Sequence, residues 1–188
     1  MKTLFDALLV RGNVMPVTKI TRGAVIAALL ASPALASAGN IESGFSPGGT
    51  ATRLILNAIA NASTSIDVAA YSFTSKPIAL ALVDASRRGV RVRVVADAKA
   101  NSHYSSVTFL ANHGVAVRKN GRYAIMHNKF MVLDGKSVET GSYNYTSSAE
   151  KRNAENAVLI SDVPHTAAAY TQEFNRLWGE ADAVSRSW

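Results

Sequence analysis

His127, Lys129, Ser142 and Asn144 are residue types suited to handling a phosphate: an imidazole that can attack phosphorus, and an ammonium, a hydroxyl and an amide that can donate to its oxygens. Their spacing brings them together. Successive strand side chains alternate faces, so His127 and Lys129, two apart, point the same way. Phe130 to Leu133 is a continuous apolar run, as expected of a strand buried on both faces, and Asp134-Gly135 is a tight-turn dipeptide. The segment Ser137 to Thr140 is then expected to return antiparallel, carrying Ser142 and Asn144 back beside His127 and Lys129. Singly, each residue has a plainer reading: a structural His, a solvated Lys, a Gly-Ser-Tyr-Asn turn, and an Asp134 that only serves the hairpin bend. One hairpin nevertheless suffices to assemble a four-residue polar cluster.

The pattern H-x-K-x4-D-x6-G-S-x-N resembles the HKD motif of the phospholipase D superfamily. Within that superfamily the chain is most similar to the small, single-motif bacterial endonucleases. Phe45-Ser46-Pro47-Gly48-Gly49, Ala70-Tyr71-Ser72-Phe73-Thr74 and Glu155-Asn156-Ala157-Val158 resemble segments of those nucleases in the same order. The likeness runs from about residue 41 to the C-terminus, with the loop Lys119 to Ala124 unmatched. It implies an α/β fold, a mixed sheet flanked by helices on both faces with one HKD motif per chain. It also implies two-step hydrolysis of a phosphodiester without metal or cofactor. His127 would form a phosphohistidine, a second imidazole would protonate the leaving oxygen, and Lys129, Ser142 and Asn144 would stabilise the non-bridging oxygens. Asp134 joins the motif as its least certain member. Glu155 is implied as the carboxylate that orients the catalytic His; its plainer reading is part of a solvated loop with Glu150, Lys151 and Arg152.

Two imidazoles are needed and only one H-x-K is present, the other histidines being His103, His113 and His165. The resemblance implies a homodimer that sets His127 of each subunit across a two-fold axis; a monomer using His113 or His103 as the acid is the alternative. The chain has no Cys and no H-E-x-x-H or EF-hand spacing.

The net charge of +7 suggests an anionic partner, although part of it sits in the first 38 residues, where Lys2, Arg11, Lys19 and Arg22 face Asp6 alone. Candidate substrate contacts are Lys99, Arg118, Lys119, Arg122, Lys151 and Arg152, for nucleic acid above all. Tyr123, Tyr143 and Tyr145 could stack on unpaired bases or simply pack.

Residues 1–38 read as a signal peptide. Lys19 and Arg22 precede the apolar run Ala24 to Ala31, and Ala36-Ser37-Ala38 has the form of a signal-peptidase site, which places cleavage after Ala38. Met15 offers a more typical start. The apolar run is far below the roughly 20 residues needed to span a bilayer. A periplasmic or secreted product is expected, with no stable membrane association once the leader is removed, as a single domain over residues 39–188.

Apolar spacing predicts a helix over Thr50 to Ala60, a strand over Ile66 to Tyr71, a helix from Pro77 to Arg88 stopped by Gly89, and a strand over Val90 to Val95. A helix ending at Gly114, a strand Val115 to Val117, the motif hairpin and a strand Ala157 to Ile160 follow. A final helix places Tyr170, Phe174, Leu177 and Trp178 on one apolar face, and Gly44 to Gly49 reads as a loop. The leading function is an exported, metal-independent, non-specific nuclease. The alternatives are a phospholipase D acting on lipid and a non-catalytic nucleic-acid-binding relative.

Overall fold

The computed structural model describes residues 39–102 and 105–187. The leader and His103 lie outside the described residues. The described chain is an eight-stranded mixed sheet with five helices. In chain order the elements are β1 (Asn40–Ser46), α1 (Thr50–Asn61), β2 (Ser65–Ala70), α2 (Lys76–Arg87), β3 (Arg91–Asp97), α3 (Ser106–Asn112), β4 (Ala116–Asn120), β5 (Lys129–Leu133), β6 (Ser137–Gly141), α4 (Ser147–Lys151), β7 (Glu155–Ser161), α5 (Pro164–Gly179) and β8 (Asp182–Ala183). The sheet order is β1-β7-β6-β5-β2-β3-β4-β8. Helical crossovers make β2, β3 and β4 parallel, while β5 and β6 pair antiparallel through a tight turn and β6 and β7 antiparallel through a loop that carries α4.

Local signals explain most boundaries. Ser75 caps α2 by accepting from the Ile78 amide, and Pro77 sits in the first turn where its missing N–H costs nothing. Gly89, at φ 92°, lets the chain leave that helix in the left-handed conformation. At the hairpin, Asp134 and Gly135 have φ of 53° and 65°, and the Lys136 amide donates to the Leu133 carbonyl at 3.1 Å.

The sheet is covered on both faces, unequally. Met131 and Leu133 join Ile66, Val68, Val92 and Val94 beneath α1, α2 and α3, whereas Phe130 and Val132 face Phe174 and Leu177 of α5. The apolar run of β5 is thus buried on both sides, each large aliphatic side chain contributing about 1.5–3 kcal/mol by leaving water. A single helix cannot cover eight strands, and on β1 Ile41 and Phe45 remain 67% and 60% exposed.

One expectation needs correction. Gly44 to Ser46 is strand and not loop, because β1 pairs along β7 from Asn40↔Ser161 to Ser46↔Glu155. Gly44 belongs there for steric reasons, since a Cβ would lie 2.7 Å from the backbone of Ala51 on α1. The two short elements α4 and β8 had no periodic signal. Among the described residues no helix is long and apolar enough to cross a membrane.

Candidate active site

The register makes one rim of the sheet. Ala70 at the C-terminal end of β2 pairs with Lys129 at the start of β5, Gly141 at the end of β6 pairs with Ala157, and Ser46 at the end of β1 pairs with Glu155 at the start of β7. His127, Lys129, Ser142, Asn144 and Glu155 therefore all belong to strand ends or loops on the same rim. His127, Lys129 and Ser142 line an open groove of about 580 Å³ whose opposite wall, on α5, includes Tyr170 and Glu173.

His127 is exposed, and its ring meets Tyr71 edge-on at 4.6 Å between centroids. The Lys129 ammonium donates to the His127 carbonyl at 2.8 Å and sits 5.4 Å from the centre of the same Tyr71 ring. One aromatic side chain thus touches both members of the H-x-K pair. Partial burial pulls the Lys129 pKa below its ordinary value, with the Glu155 carboxylate opposing the shift.

Ser142 is fully engaged. Its hydroxyl donates to Glu155 Oε2 at 2.6 Å and accepts from the Asn156 amide at 3.0 Å and from Asn156 Nδ2 at 3.3 Å. The other carboxylate oxygen of Glu155 accepts from Asn153 Nδ2 at 2.8 Å. In the single chain Glu155 holds Ser142, and none of the described contacts joins it to His127. Gly141 has no alternative, since a Cβ there would run into the Asn156 carbonyl.

The segment Ser142–Tyr145 alternates its side chains. Tyr143 and Tyr145 turn inward, 1% and 0% exposed, the first sharing a hydrogen bond of 2.8 Å with Thr52 and the second donating to Glu139 at 2.8 Å. Both are packing residues and not base-stacking platforms. Asn144 stays at the rim, its carbonyl accepting from the Thr146 amide, while its side-chain Oδ1 is buried with no partner. Glu139 is buried in apolar surroundings, which raises its pKa to about 8 despite the Tyr145 hydroxyl, so it is largely protonated at neutral pH.

Asp134 lies at the opposite end of β5, five strand residues from the cluster, and takes no part in it. Its carboxylate accepts from the amides of Ser63, Thr64 and Ser65 and from the hydroxyls of Ser63 and Thr64. Partial burial would raise its pKa, but those donors win and hold it well below the usual carboxylate range. Its task is to fasten the α1–β2 loop to the hairpin turn.

Four of the six candidate substrate contacts are spent inside the molecule. Lys99 donates to the carbonyls of Tyr123 and Ala124, Lys119 to that of Asn101, and Arg118 to that of Trp178, over whose ring it lies at 4.7 Å. Arg122 is 3.9 Å from Glu180. Lys151 and Arg152 are exposed at the end of α4. Tyr123 donates to Glu180 at 2.7 Å and packs under Arg176.

Two residues escaped the sequence reading. Tyr71 follows the last residue of β2, and only the β2–β5 pairing reveals that it meets His127; Glu139 hides as a polar residue at a strand position between apolar neighbours. His113 and His165 are at the far rim, the first bonded through Nδ1 to the Phe109 carbonyl at the end of α3, the second in the opening turn of α5. Among the described residues no group of three or more His, Asp or Glu is gathered as a metal site.

With this geometry in view, the comparisons with known proteins are specific. Residues 55–178 match the family described as "Cardiolipin synthase, PLD-like domain". The chain is 38% identical over 127 residues to "Phospholipase D" of Rickettsia prowazekii, covering 67% of this chain and 62% of that protein. It is 40% identical over 138 residues to "Mitochondrial cardiolipin hydrolase" of Xenopus tropicalis, covering 71% and 63%. It thus spans less than two thirds of the length of either relative. Among solved structures, the phospholipase D family member Nuc from Salmonella typhimurium superposes with a TM-score of 0.77 at 38% identity, covering 80% of this chain and all of that one. NucT from Helicobacter pylori shares the fold, with a TM-score of 0.70 at 22% identity over 78% of this chain. Motif, rim geometry, eight-stranded sheet and these matches agree, and the chain belongs to the phospholipase D superfamily.

Proposed function

We propose that this protein is an exported phosphodiesterase that hydrolyses nucleic acid, with little sequence preference, through a phosphohistidine on His127. One observation carries the reading: an exposed imidazole, a partly desolvated ammonium and a clamped Ser–Glu pair share the rim of one open groove. A nitrogen of His127 attacks phosphorus, the bond to the leaving oxygen breaks, and that oxygen takes a proton from a second imidazole. Water then gives its proton to the second imidazole, attacks phosphorus and breaks the P–N bond. Lys129 and Asn144 donate to the non-bridging oxygens throughout, and no cofactor is called on.

The second imidazole is His127 of a second copy. His113 and His165 stand at the far rim, so neither reaches the groove of its own chain, and a two-fold axis beside the rim supplies the missing acid. The exposed Phe45 next to Ser46 gives that rim apolar surface to cover. The pattern of residues 1–38 supports export and cleavage after Ala38. A lipid phosphodiester is the second reading, favoured by the names of the relatives in Rickettsia and Xenopus.

Plasmid nicking in excess EDTA, with His127→Ala alongside, tests the reading. Cleavage by the wild type and none by the variant is expected. An inactive wild type on duplex, single-stranded DNA and RNA, with turnover of phosphatidyl vesicles instead, overturns it in favour of lipid.

A further inference from the structure

A scissile phosphodiester in nucleic acid is one link of a long polyanion, so the surface must continue to meet phosphates beyond the cleaved one. Most Lys and Arg side chains in the described structure are held by acceptors within the protein: Arg91 and Arg93 by Asp67, Arg88 by carbonyls of α1, Lys136 by Asp162, Arg176 by Glu173 and Glu180. Arg53, Lys76, Lys151 and Arg152 are exposed and have no acceptor among the described contacts, and the same holds for Arg186, which lies beside Gly114 at the far rim. The first four belong to elements that meet at the rim of the His127 cluster. Arg53 is in the first turn of α1, where Thr52 bonds Tyr143. Lys76 opens α2, just after Thr74 and Ser75, whose amides donate to the Tyr145 carbonyl. Lys151 and Arg152 end α4, which Ser46 ties to the last turn of β1 through the Ala149 carbonyl. The first turn of α1 also starts at Gly49 without a side-chain cap. The acids nearby are Glu155, already bonded to Ser142 and Asn153, and Glu150. Across the groove, α5 presents Glu173 and Glu180 around a saturated Arg176.

We propose that the substrate chain crosses the rim from the His127 cluster toward α4, α1 and α2, its phosphates met by Lys151, Arg152, Arg53 and Lys76, and avoids the Lys99–Arg122 side. This rests on the nuclease reading and deepens it, because a polyanion uses all four cations whereas the reacting diester alone uses none of them. It also replaces most of the contacts expected from sequence, retaining Lys151 and Arg152.

Steady-state kinetics on two substrates test it: a single-stranded oligonucleotide and bis(p-nitrophenyl) phosphate, a diester too small to reach the track. The variant Arg53→Gln/Lys76→Gln/Lys151→Gln/Arg152→Gln is expected to raise the oligonucleotide KM about tenfold and to lower the slope of log KM against log salt by about 0.7 per cation removed. Turnover of the small diester stays at the wild-type level, which also reports a folded site. The pair Lys151→Gln/Arg152→Gln, on the exposed end of α4, gives a proportionate part of the effect should the fourfold variant fold poorly. Lys99→Gln/Arg122→Gln is expected to leave the salt slope unchanged. An unmoved KM and slope in the α4 pair and the fourfold variant, with wild-type oligonucleotide turnover intact, overturns the track alone. Wild type that cleaves the small diester but no nucleic acid overturns the nuclease reading and the track with it.

Discussion

At its turn end the β5–β6 hairpin carries a saturated carboxylate, with Asp134 taking donors from Ser63, Thr64 and Ser65. At its rim end, by contrast, the same two strands carry an exposed imidazole, and the loop that follows buries an amide oxygen with no partner at Asn144. Both ends are polar, and both hold residues of one sequence motif. The difference is whether the protein itself satisfies them. A saturated carboxylate stabilises the fold, while a polar group left unsatisfied inside a protein costs stability.

The largest effect should separate the two ends outright. His127→Ala is expected to reduce turnover by at least about 10³-fold with an unchanged thermal midpoint. Asp134→Ala should leave kcat within about twofold and cost about 2 kcal/mol of stability, because six hydrogen bonds converge on one carboxylate and a positive φ disfavours alanine. Because the Asp134 pKa is held below its ordinary value of 3.8, that stability is present above this pH and fades as the pH falls through it. Comparable turnover losses in both variants would erase the contrast.

A smaller effect sharpens the rim end. Asn144→Ala should lower kcat about 10²-fold with little change in KM, as for a donor aimed at charge that develops only in the transition state. A KM effect alone would make Asn144 a binding residue.

The smallest concerns Glu139, buried beneath the same loop. Its folded pKa of about 8 exceeds the ordinary 4.5, so the native state retains a proton that the unfolded chain releases. Stability should therefore fall as pH rises from about 4.5 to about 8, and Glu139→Gln should flatten that decline in midpoint temperature. An unaltered pH profile would mean that Glu139 is not the group responsible.

The hairpin and its cluster were legible because period-two alternation and the Asp-Gly turn are local signals. His127, Lys129, Ser142 and Asn144 follow from them, as the long helices follow from 3.6-residue apolar spacing. Residues whose role depends on pairing across the sheet were not legible. Tyr71 meets His127 only because β2 lies beside β5, and β1 escaped notice because its burial pattern is mostly exposed and interrupted by Gly44. For Asp134 the sequence offered both a motif role and a turn role, and could not choose between them because its partners are some seventy residues away, in a loop with no motif of its own. Charge alone also says nothing of pairing, since Lys99, Lys119 and Arg118 look like free cations until their carbonyl acceptors are seen.

The pairing of the first described strand with one of the last has a consequence in time. Ser46 meets Glu155 across the β1–β7 ladder, and Ser142 is clamped by residues of β7, so the cluster has no assembled form until the chain has been made through Ser161. During synthesis α1 to α4 and the β5–β6 hairpin are complete earlier, and β6–β7 pairing then brings Glu155 to Ser142 over a short span, yet the β1–β7 ladder that seats Ser46 beside Glu155 has to close over about a hundred residues, the slowest kind of contact to form. Chemical competence is thus the last property the polypeptide acquires, and a nascent or unfolded chain carries its histidine without its weapon.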